Sequence, residues 1–229
     1  MTALRIAVIG PGRMGTAVAE LARASGADVV ATIGADQPIT RESLSGADVA
    51  IEFTEPGAAA ANVRACILAS CPVVVGTTGW YDSLPEINTL ASQHDGAVFW
   101  AANFSLGVYA VERLVRAAGG LFARLPGFDA VLIETHHAAK KDAPSGTARM
   151  LQKDFEAGWQ RELPISSIRV GSVPGTHTLV LDGAFEQIVI SHEARDRRVF
   201  AEGALVAARW LVGRRGVFTL GDMLSDQEV

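Results

Sequence analysis

The sequence predicts an α/β protein with two parts: an amino-terminal doubly wound parallel sheet, then a smaller α+β domain with an open mixed sheet. Three observations lead to this prediction. Over the first hundred residues, short and continuously apolar runs alternate with helical segments, which is typical of a parallel sheet covered on both faces. A glycine-rich turn, Gly10–Gly15, directly follows the first apolar run. After Asn103 the apolar runs alternate with polar residues instead, which favours antiparallel or mixed pairing.

The first part is expected to contain five strands and three helices. The strands are predicted at Leu4–Ile9, Asp28–Ile33, Val49–Phe53, Val73–Val75 and Ala97–Trp100, and the helices at Arg13–Ser25, Ala58–Ala69 and Leu84–Gln93. Because crossovers between parallel strands are right-handed, this order gives a doubly wound sheet.

The second part is expected to combine two amphipathic helices with four strands. The helices are predicted at Leu106–Phe122 and after the N-cap Ser145, and the strands at Ala130–Ile133, Ile168–Val173, His177–Leu181 and Phe185–His192. A final helix, Gly203–Gly213, is expected to return to the first part. We therefore predict one domain over 1–104 with a carboxyl-terminal return over 205–229, and a second domain over 105–204.

Composition excludes several classes of function. The chain has 229 residues, of which 49% are hydrophobic and 20% charged, and its net charge of -5 argues against nucleic acid as a partner. The two cysteines, Cys66 and Cys71, do not have zinc-site spacing, and we predict no metal site. No apolar run reaches membrane-spanning length, and the first strand leaves no room for a signal peptide. A cytoplasmic protein without membrane contact is expected.

The turn Gly10-Pro11-Gly12-Arg13-Met14-Gly15 has the Rossmann-type pattern of a dinucleotide-binding loop. Its glycines permit a tight turn, close approach of the backbone to a pyrophosphate and close packing of helix on strand. The second strand, however, is followed by Gly34 and Ala35, where an acidic residue usually binds the adenosine ribose. Arg13 could meet a 2′-phosphate instead, so the sequence predicts NADH or NADPH and leaves the choice open.

Small and hydroxyl-bearing residues follow three other strands of this sheet. They are Phe53-Thr54-Glu55-Pro56, Gly76-Thr77-Thr78-Gly79 and Ala101-Ala102-Asn103-Phe104. The carboxyl ends of parallel strands form the crevice in which such sheets bind ligands. We therefore expect these segments to surround the nicotinamide and its ribose.

The most informative stretch is Glu134–Ala148, which combines two histidines, two lysines and the start of a helix. The free N–H groups at a helix start favour a carboxylate or a phosphate. A strand end, a cationic loop and an anion-binding helix start together predict a site for a small acidic substrate. An unperturbed histidine such as His136 titrates near neutral pH, which suits a general acid.

With these motifs in place, the chain resembles the 4-hydroxy-tetrahydrodipicolinate reductases, historically dihydrodipicolinate reductases, of the bacterial diaminopimelate and lysine pathway. The resemblance spans nearly the whole chain. It rests on the loop Gly10–Gly15, Gly76–Gly79, Asn103–Val108, Pro174–His177, Phe200–Leu205 and, above all, Glu134–Ala148. It implies NAD(P)H-dependent reduction of a cyclic imine dicarboxylate.

The resemblance also implies roles for individual residues. His136 would be the proton donor, and Lys140 would bind and polarise the substrate. The substrate carboxylates would be held by His137, Lys140, Gly146 and Thr147. The pyrophosphate would be held by Gly10, Gly12, Arg13, Met14 and Gly15, and the nicotinamide end by Gly76, Thr77, Thr78, Ala101, Asn103 and Phe104. Lys141 falls on a variable position of the motif and receives no role.

The chain departs from the family pattern in three places. The first two glycines are one residue closer together than usual, Gly34 and Ala35 replace a charged residue, and the connection between Leu163 and His177 is short. The family builds a tetramer from the sheet of its second domain, so a homo-oligomer, tetramer or dimer, is expected. Two alternatives stay open: a Rossmann-fold dehydrogenase acting on another small acidic substrate, and a non-catalytic dinucleotide sensor.

Overall fold

The computed structural model describes residues 3–225, which form two compact units. Residues 105–197 form the second unit, and the remaining described residues form the first. Residues 226–229 of the predicted carboxyl-terminal return lie outside the described residues. No helix within 3–225 combines the length and the apolar character that crossing a membrane requires.

The elements follow one another in the predicted alternation. They are β1 Arg5–Ile9, α1 Arg13–Ala24, β2 Asp28–Ile33, β3 Val49–Glu52, α2 Pro56–Leu68, β4 Val73–Val75, α3 Leu84–Gln93, β5 Ala97–Trp100, α4 Leu106–Phe122, β6 Phe128–His136, α5 Gly146–Trp159, β7 Ile165–Arg169, β8 Thr176–Gly183, β9 Gln187–Glu193, α6 Arg198–Leu211, β10 Gly216–Phe218 and α7 Leu220–Ser225. A short 3₁₀ turn, Tyr81–Ser83, precedes α3.

The first unit contains a six-stranded sheet in the order β10-β5-β4-β3-β1-β2, with every pair of neighbours parallel. The predicted parallel sheet is therefore confirmed. Strands β1, β3 and β4 are buried almost throughout, which explains why they appear in the sequence as unbroken apolar runs. Strands β2 and β3 lie on opposite sides of β1, so the direction in which successive strands are added changes at β1. Such a change in strand order places the ligand crevice at the carboxyl end of β1.

The carboxyl-terminal return is longer than the sequence pattern indicated. Helix α6 begins at Arg198 rather than at Gly203, and all of it belongs to the first unit. Strand β10 and helix α7 were not predicted, because three and six residues are too short to show a hydrophobic period.

The second unit contains a four-stranded mixed sheet in the order β7-β6-β8-β9, as expected for an open mixed sheet. Strand β6 runs parallel to β7 and antiparallel to β8, and β8 is antiparallel to β9. Side chains on one face of the sheet pack with α4 and α5. Their buried core consists of Val115, Ala118, Phe122, Leu132, Ala148, Leu151, Phe155, Trp159, Leu163, Leu179 and Leu181.

Two predicted strands of this unit were misplaced. The run Ile168–Val173 was expected to be a strand, but β7 ends at Arg169 and Gly171 adopts a positive φ of 52° in a turn. The run from Phe185 was expected to begin the last strand, yet β9 starts at Gln187, and Phe185 lies fully exposed between β8 and β9. In both cases an apolar residue exposed to solvent produced a misleading alternation.

Helices α4 and α5 approach each other closely at glycines. A Cβ added to Gly119 would overlap the backbone carbonyl of Phe155, and one added to Gly158 would overlap the backbone of Gly120. A Cβ on Gly120 itself would meet no atom within 4 Å. The absence of a side chain at Gly119 therefore allows the two helices to pack on the sheet together.

We predict that Gly119→Ala lowers the free energy of unfolding by about 1–3 kcal/mol, because the helices must move apart to admit the methyl group. Gly120→Ala is the matched control. It is expected to be neutral or slightly stabilising, since alanine is the better helix former and meets no neighbour. Urea unfolding of both variants measures the difference, and equal midpoints for the two would contradict the close packing.

Candidate active site

A groove runs along the carboxyl edge of the parallel sheet in the first unit. It consists of three adjoining cavities of about 530, 330 and 250 Å³, and Phe53 lines all three. The first lies between the ends of β1, β2 and β3, the second lies over the start of α1, and the third lies beside the end of β5. An elongated groove of this kind suits a dinucleotide.

The glycine loop fits the pyrophosphate of such a ligand. A Cβ on Gly10 would overlap the carbonyl of Phe53, and one on Gly15 would overlap the carbonyl of Gly10. Gly12, by contrast, has open space around its Cβ position and is the N-cap of α1 without a side-chain cap. The backbone N–H groups of the first turn of α1 are therefore accessible, and they favour an anion.

The third cavity contains three of the six residues expected at the nicotinamide end, Gly76, Asn103 and Phe104. Its lining is Met14, Phe53, Gly76, Ala102, Asn103, Phe104 and Phe200. Thr77 and Thr78 line the second cavity with Arg13. Ala101 was expected at this site, but it is buried, and Ala102 lines the cavity beside it. Phe200 was not expected, because it reaches the groove on the returning helix α6.

A buried carboxylate is hydrogen-bonded to two residues that line the first cavity. Glu52 is fully buried at the end of β3, and its Oε1 accepts hydrogen bonds from Thr54 Oγ1 and, at 3.3 Å, from Asn62 Nδ2. Thr54 and Asn62 line the cavity. At the end of β2, Gly34 donates its N–H to Oε1 of Gln37 at 3.0 Å. The residues after β2 that line this cavity are Gly34, Ala35 and Gln37, and none of them carries a carboxylate.

In the second unit, Glu134 occupies the centre of a hydrogen-bonded cluster. Its side chain is fully buried, and Oε1 accepts from Nη2 of Arg169 at 2.7 Å and from the N–H of Ser145 at 3.3 Å. Its Oε2 contacts Nδ1 of His136. Burial alone would raise the pKa of Glu134, but hydrogen bonds from Arg169, Ser167 and His136 outweigh it and lower the pKa to about 2. Glu134 is therefore a charged acceptor at neutral pH.

The contact with Glu134 decides which nitrogen of His136 can exchange a proton. Because the carboxylate only accepts, Nδ1 carries a hydrogen and Nε2 is left for chemistry. A Cβ on Gly175 would lie 3.0 Å from Nε2, so the glycine keeps this nitrogen uncovered. Burial lowers the pKa of His136 below its usual 6.5, Glu134 raises it in part, and the positive Lys140 and Arg169 lower it further.

The cationic loop is attached to the same cluster. Nζ of Lys140 donates to Oδ1 of Asp142 at 2.7 Å, which lowers the pKa of Asp142. Nη2 of Arg169 donates to the backbone carbonyl of Asp142 at 2.6 Å. His137 lies with Nε2 3.4 Å from Nη2 of Arg197. The loop therefore holds an ammonium group and a second imidazole close to His136.

Helix α5 begins as the sequence predicted, with Ser145 as its N-cap. Oγ of Ser145 accepts from the N–H of Ala148 at 3.1 Å. Gly146 and Thr147 are the first two residues of the helix, and Gly146 is exposed with open space around it. The first turn has no acidic side chain to compete for its N–H groups. This helix start can bind a carboxylate.

His177 of β8 completes the cluster next to the start of helix α5. It is buried, its Nε2 lies 3.1 Å from Oγ of Ser145, and its ring contacts that of His136 edge to face at 5.2 Å. Burial first, and then the positive charge of His136, lower the pKa of His177 to about 4. The ring is therefore neutral at physiological pH.

The spacing within this cluster resembles that of a cation site. One ligand atom each from Glu134, His136 and His177 lies within 4.8 Å of the others. Both oxygens of Glu134 are already engaged by Arg169, Ser145 and His136. We therefore interpret the cluster as a hydrogen-bonded network.

The fold brings the residues predicted from the sequence to one end of the second sheet: His136, His137, Lys140, Gly146 and Thr147. Glu134, Arg169 and His177 also lie there and were not predicted to have a role. The register of the sheet explains their arrangement, because Glu134 lies opposite His177 on β8, and His136 lies opposite Arg169 on β7. One signal in the sequence could have revealed Glu134: it is a charged residue that directly follows the apolar run Ala130–Ile133.

Comparisons with known proteins agree along the whole chain. The family model described as "Dihydrodipicolinate reductase, N-terminus" matches residues 4–104, and "Dihydrodipicolinate reductase, C-terminus" matches residues 107–224. A 4-hydroxy-tetrahydrodipicolinate reductase of Christiangramia forsetii is 37% identical over 97% of this chain and 98% of its own length. The protein of the same name from Haloarcula marismortui is 38% identical over 96% of this chain and 98% of its own length.

Solved structures share the fold at low identity. A dipicolinate-bound dihydrodipicolinate reductase from Paenisporosarcina sp. TG-14 superposes with a TM-score of 0.79 at 19% identity, over 96% of this chain and 99% of its own. GenD2 from gentamicin A biosynthesis, in complex with NAD, gives a TM-score of 0.60 at 12% identity, over 100% of this chain and 88% of its own. The two family models and the relatives' identities over almost their full lengths show that this chain belongs to the dihydrodipicolinate reductase family.

Proposed function

We propose that the protein reduces 4-hydroxy-tetrahydrodipicolinate to tetrahydrodipicolinate, with loss of the 4-hydroxyl as water and with a reduced nicotinamide dinucleotide as hydride donor, in diaminopimelate and lysine biosynthesis. Membership of the family supports this proposal. The observation that supports it is the cluster around Glu134, whose carboxylate contacts His136 and the N-cap Ser145 of helix α5, with the ammonium group of Lys140 in the loop between them. Neither alternative considered for the sequence is favoured, since the relatives share one enzyme name and the cationic loop is intact.

The substrate carries two carboxylates, and the second unit offers suitable groups for both. The N–H groups of Gly146 and Thr147 stand at the open start of α5, where the helix dipole favours negative charge. Lys140 and His137 supply further donors, and Lys140 would exchange its bond with Asp142 for a bond to the substrate. Fixing both carboxylates orients the ring before the reaction begins.

His136 is the proposed proton donor, acting through Nε2. Glu134 holds the ring by its Nδ1–H and stabilises the charge that the ring carries when it is protonated. Arg169 keeps the carboxylate ionised, so that Glu134 remains an acceptor and does not compete for the proton. Lys140 polarises the substrate and offsets the negative charge that it brings.

The groove of the first unit is the proposed site of the cofactor. A bound reduced nicotinamide supplies the hydride. Gly10, Gly12, Met14 and Gly15 would hold the pyrophosphate, and Arg13 is the charged side chain that lines the second cavity. Because Gly34 and Ala35 follow β2, no carboxylate stands directly at the end of this strand, and we propose that NADH and NADPH are both accepted.

We also propose that copies of the chain associate through the outer face of the second sheet. The strand alternation that directs Leu132 and Ile190 toward the helices directs Ile133 and Val189 to the opposite face. Val189 and Ile168 are about half exposed there, at 52% and 46%. An apolar, open sheet face of this kind supports a homo-oligomer, either a dimer or a tetramer.

The proposed function predicts oxidation of NADH and of NADPH when the freshly formed product of dihydrodipicolinate synthase is supplied. His136→Ala and Lys140→Ala should each lower turnover roughly 10²- to 10⁴-fold, because each removes a group that acts on the reacting substrate. Absorbance of the reduced cofactor measures the rate. Cofactor binding, followed by fluorescence, should stay unchanged because the groove lies in the other unit.

Lys141→Ala is the matched control for Lys140→Ala, since Lys141 is its exposed neighbour in the same loop. It should keep turnover within about twofold of the unaltered chain, as expected for a surface position. Full activity in the His136 or the Lys140 variant would disprove the proposed roles, and an inactive unaltered chain would disprove the proposed reaction.

The pH profile tests the pairing of Glu134 with His136. The donor must be protonated, so kcat/KM should fall as pH rises through the pKa of His136, which lies below 6.5. Glu134 raises that pKa, so Glu134→Gln should lower it further and move the falling limb to lower pH. A limb that stays in place, or moves to higher pH, would contradict the pairing.

The oligomer proposal predicts a mass in sedimentation velocity of at least two 24.1 kDa chains. Val189→Glu should dissociate the assembly, because it places a charge in an apolar contact. Leu121→Glu is the control, as Leu121 is similarly exposed, at 59%, but lies on helix α4. A single-chain mass for the unaltered protein, or dissociation by the control alone, would contradict this interface.

A further inference from the structure

His177 is a buried histidine that the proposed reaction does not use as an acid or base. It lies on β8 with 5% of its surface exposed, opposite Glu134 of β6 and opposite His192 of β9. Within residues 3–225, no hydrogen-bond partner reaches its Nδ1. An unpaired buried nitrogen costs stability, and a phenylalanine would fill the space without that cost. The reason for a histidine at this position therefore lies with its other ring nitrogen.

The other ring nitrogen is bonded to the start of helix α5. Nε2 of His177 lies 3.1 Å from Oγ of Ser145, and the same oxygen accepts from the N–H of Ala148. The backbone N–H of Ser145 donates to Glu134 at 3.3 Å. Ser145 is thus attached to the sheet through both its backbone and its side chain, by two residues that face each other across paired strands.

Both attachments also touch the proton donor. Glu134 binds Nδ1 of His136 through its other oxygen, and the ring of His177 packs edge to face against the ring of His136. The two residues that follow Ser145 are Gly146 and Thr147, the proposed carboxylate site. The position of His177 therefore links the donor to the helix start through direct contacts on both sides.

We propose that His177 is a positioning residue, which holds the Gly146–Thr147 start of helix α5 at a fixed place relative to His136 through its bond to Ser145. This inference rests on the proposed function, because it assigns the helix start to a substrate carboxylate. The neutral state of the ring agrees with the role. Burial lowers the pKa of His177 to about 4, so the ring does not add a charge beside His136 and Lys140.

The chain provides a matched comparison in the neighbouring strand. His192 of β9 lies with Nε2 3.4 Å from Oγ of Ser105, which caps helix α4 by accepting from the N–H of Val108 at 3.2 Å. In both places, a serine that caps a helix is hydrogen-bonded to a histidine of a strand. Helix α4, however, carries none of the residues proposed to bind the substrate. A variant of His192 therefore reports the effect of losing such a bond at a helix that is not proposed to bind a carboxylate.

The experiment compares His177→Phe, His177→Gln and His192→Phe. Phenylalanine fills the space but cannot bond Ser145, so KM for the substrate should rise roughly tenfold or more, as for loss of one hydrogen bond that orders a charged ligand site. Glutamine can reach Ser145 with its amide and should restore KM to within about threefold. His192→Phe should leave KM within the same limit. Fluorescence with NADH and circular dichroism verify that each variant is folded.

Calorimetric titration with dipicolinate, a planar dicarboxylate, separates this inference from the proposed function. If the unaltered chain binds dipicolinate but shows no turnover, the reaction is wrong, and the affinities of the three variants still test His177. Unchanged affinity and KM in His177→Phe, or equal losses in all three variants, would overturn the positioning role. Absence of dipicolinate binding by the unaltered chain would overturn it too, because there would be no carboxylate site to position.

Discussion

The buried carboxylate of Glu134 is the group on which the second unit depends. A charge without water around it is tolerated only when hydrogen bonds and an opposite charge compensate it, and breaking such a pair costs about 3–5 kcal/mol. Arg169, Ser145 and His136 supply that compensation from three different elements. The same contacts that keep the carboxylate stable therefore fix the strand end, the helix start and the imidazole relative to one another.

This arrangement explains how a small sheet can carry a well-ordered site. The side chains proposed to act on the substrate lie at the carboxyl end of β6 and in the loop after it, where backbone is usually mobile. Here Arg169 of strand β7 holds the loop by donating to the backbone carbonyl of Asp142. The loop ends at Ser145, which caps helix α5. Order at the site comes from polar contacts with buried groups, while the apolar core beneath it holds the helices.

The first unit reaches its function by a different route, through close packing of backbone. Gly10 and Gly15 lack a Cβ where one would overlap a carbonyl oxygen, and the turn they form leaves the start of α1 open to an anion. In the proposed function, selectivity for the nucleotide would depend on the few side chains at the ends of β2 and α1. With Gly34 and Ala35 directly after β2, the proposed cofactor site has no charged residue immediately at the end of this strand with which to choose between the two dinucleotides.

The sequence by itself determined the order of helices and strands, the glycine loop and the residues of the cationic loop. Each of these is encoded within a few residues, by hydrophobic period or by spacing, and the continuous runs of β1, β3 and β4 could be recognised because both faces of those strands are buried. The family resemblance, carried by such a local motif, implied roles for His136 and Lys140. Strand β7 and the start of β9 were misplaced because exposed Ile168 and Phe185 imitate an alternating pattern.

Only the tertiary structure decided what surrounds those residues. Arg169 and His177 reach Glu134 through strand pairing across more than thirty residues, and Phe200 enters the groove because α6 returns to the first unit after the whole second unit. Pairing register and chain return are set by burial over the complete fold, and a local pattern does not record them. The sequence therefore contains the groups proposed to carry the chemistry, whereas the fold determines their protonation and their direction.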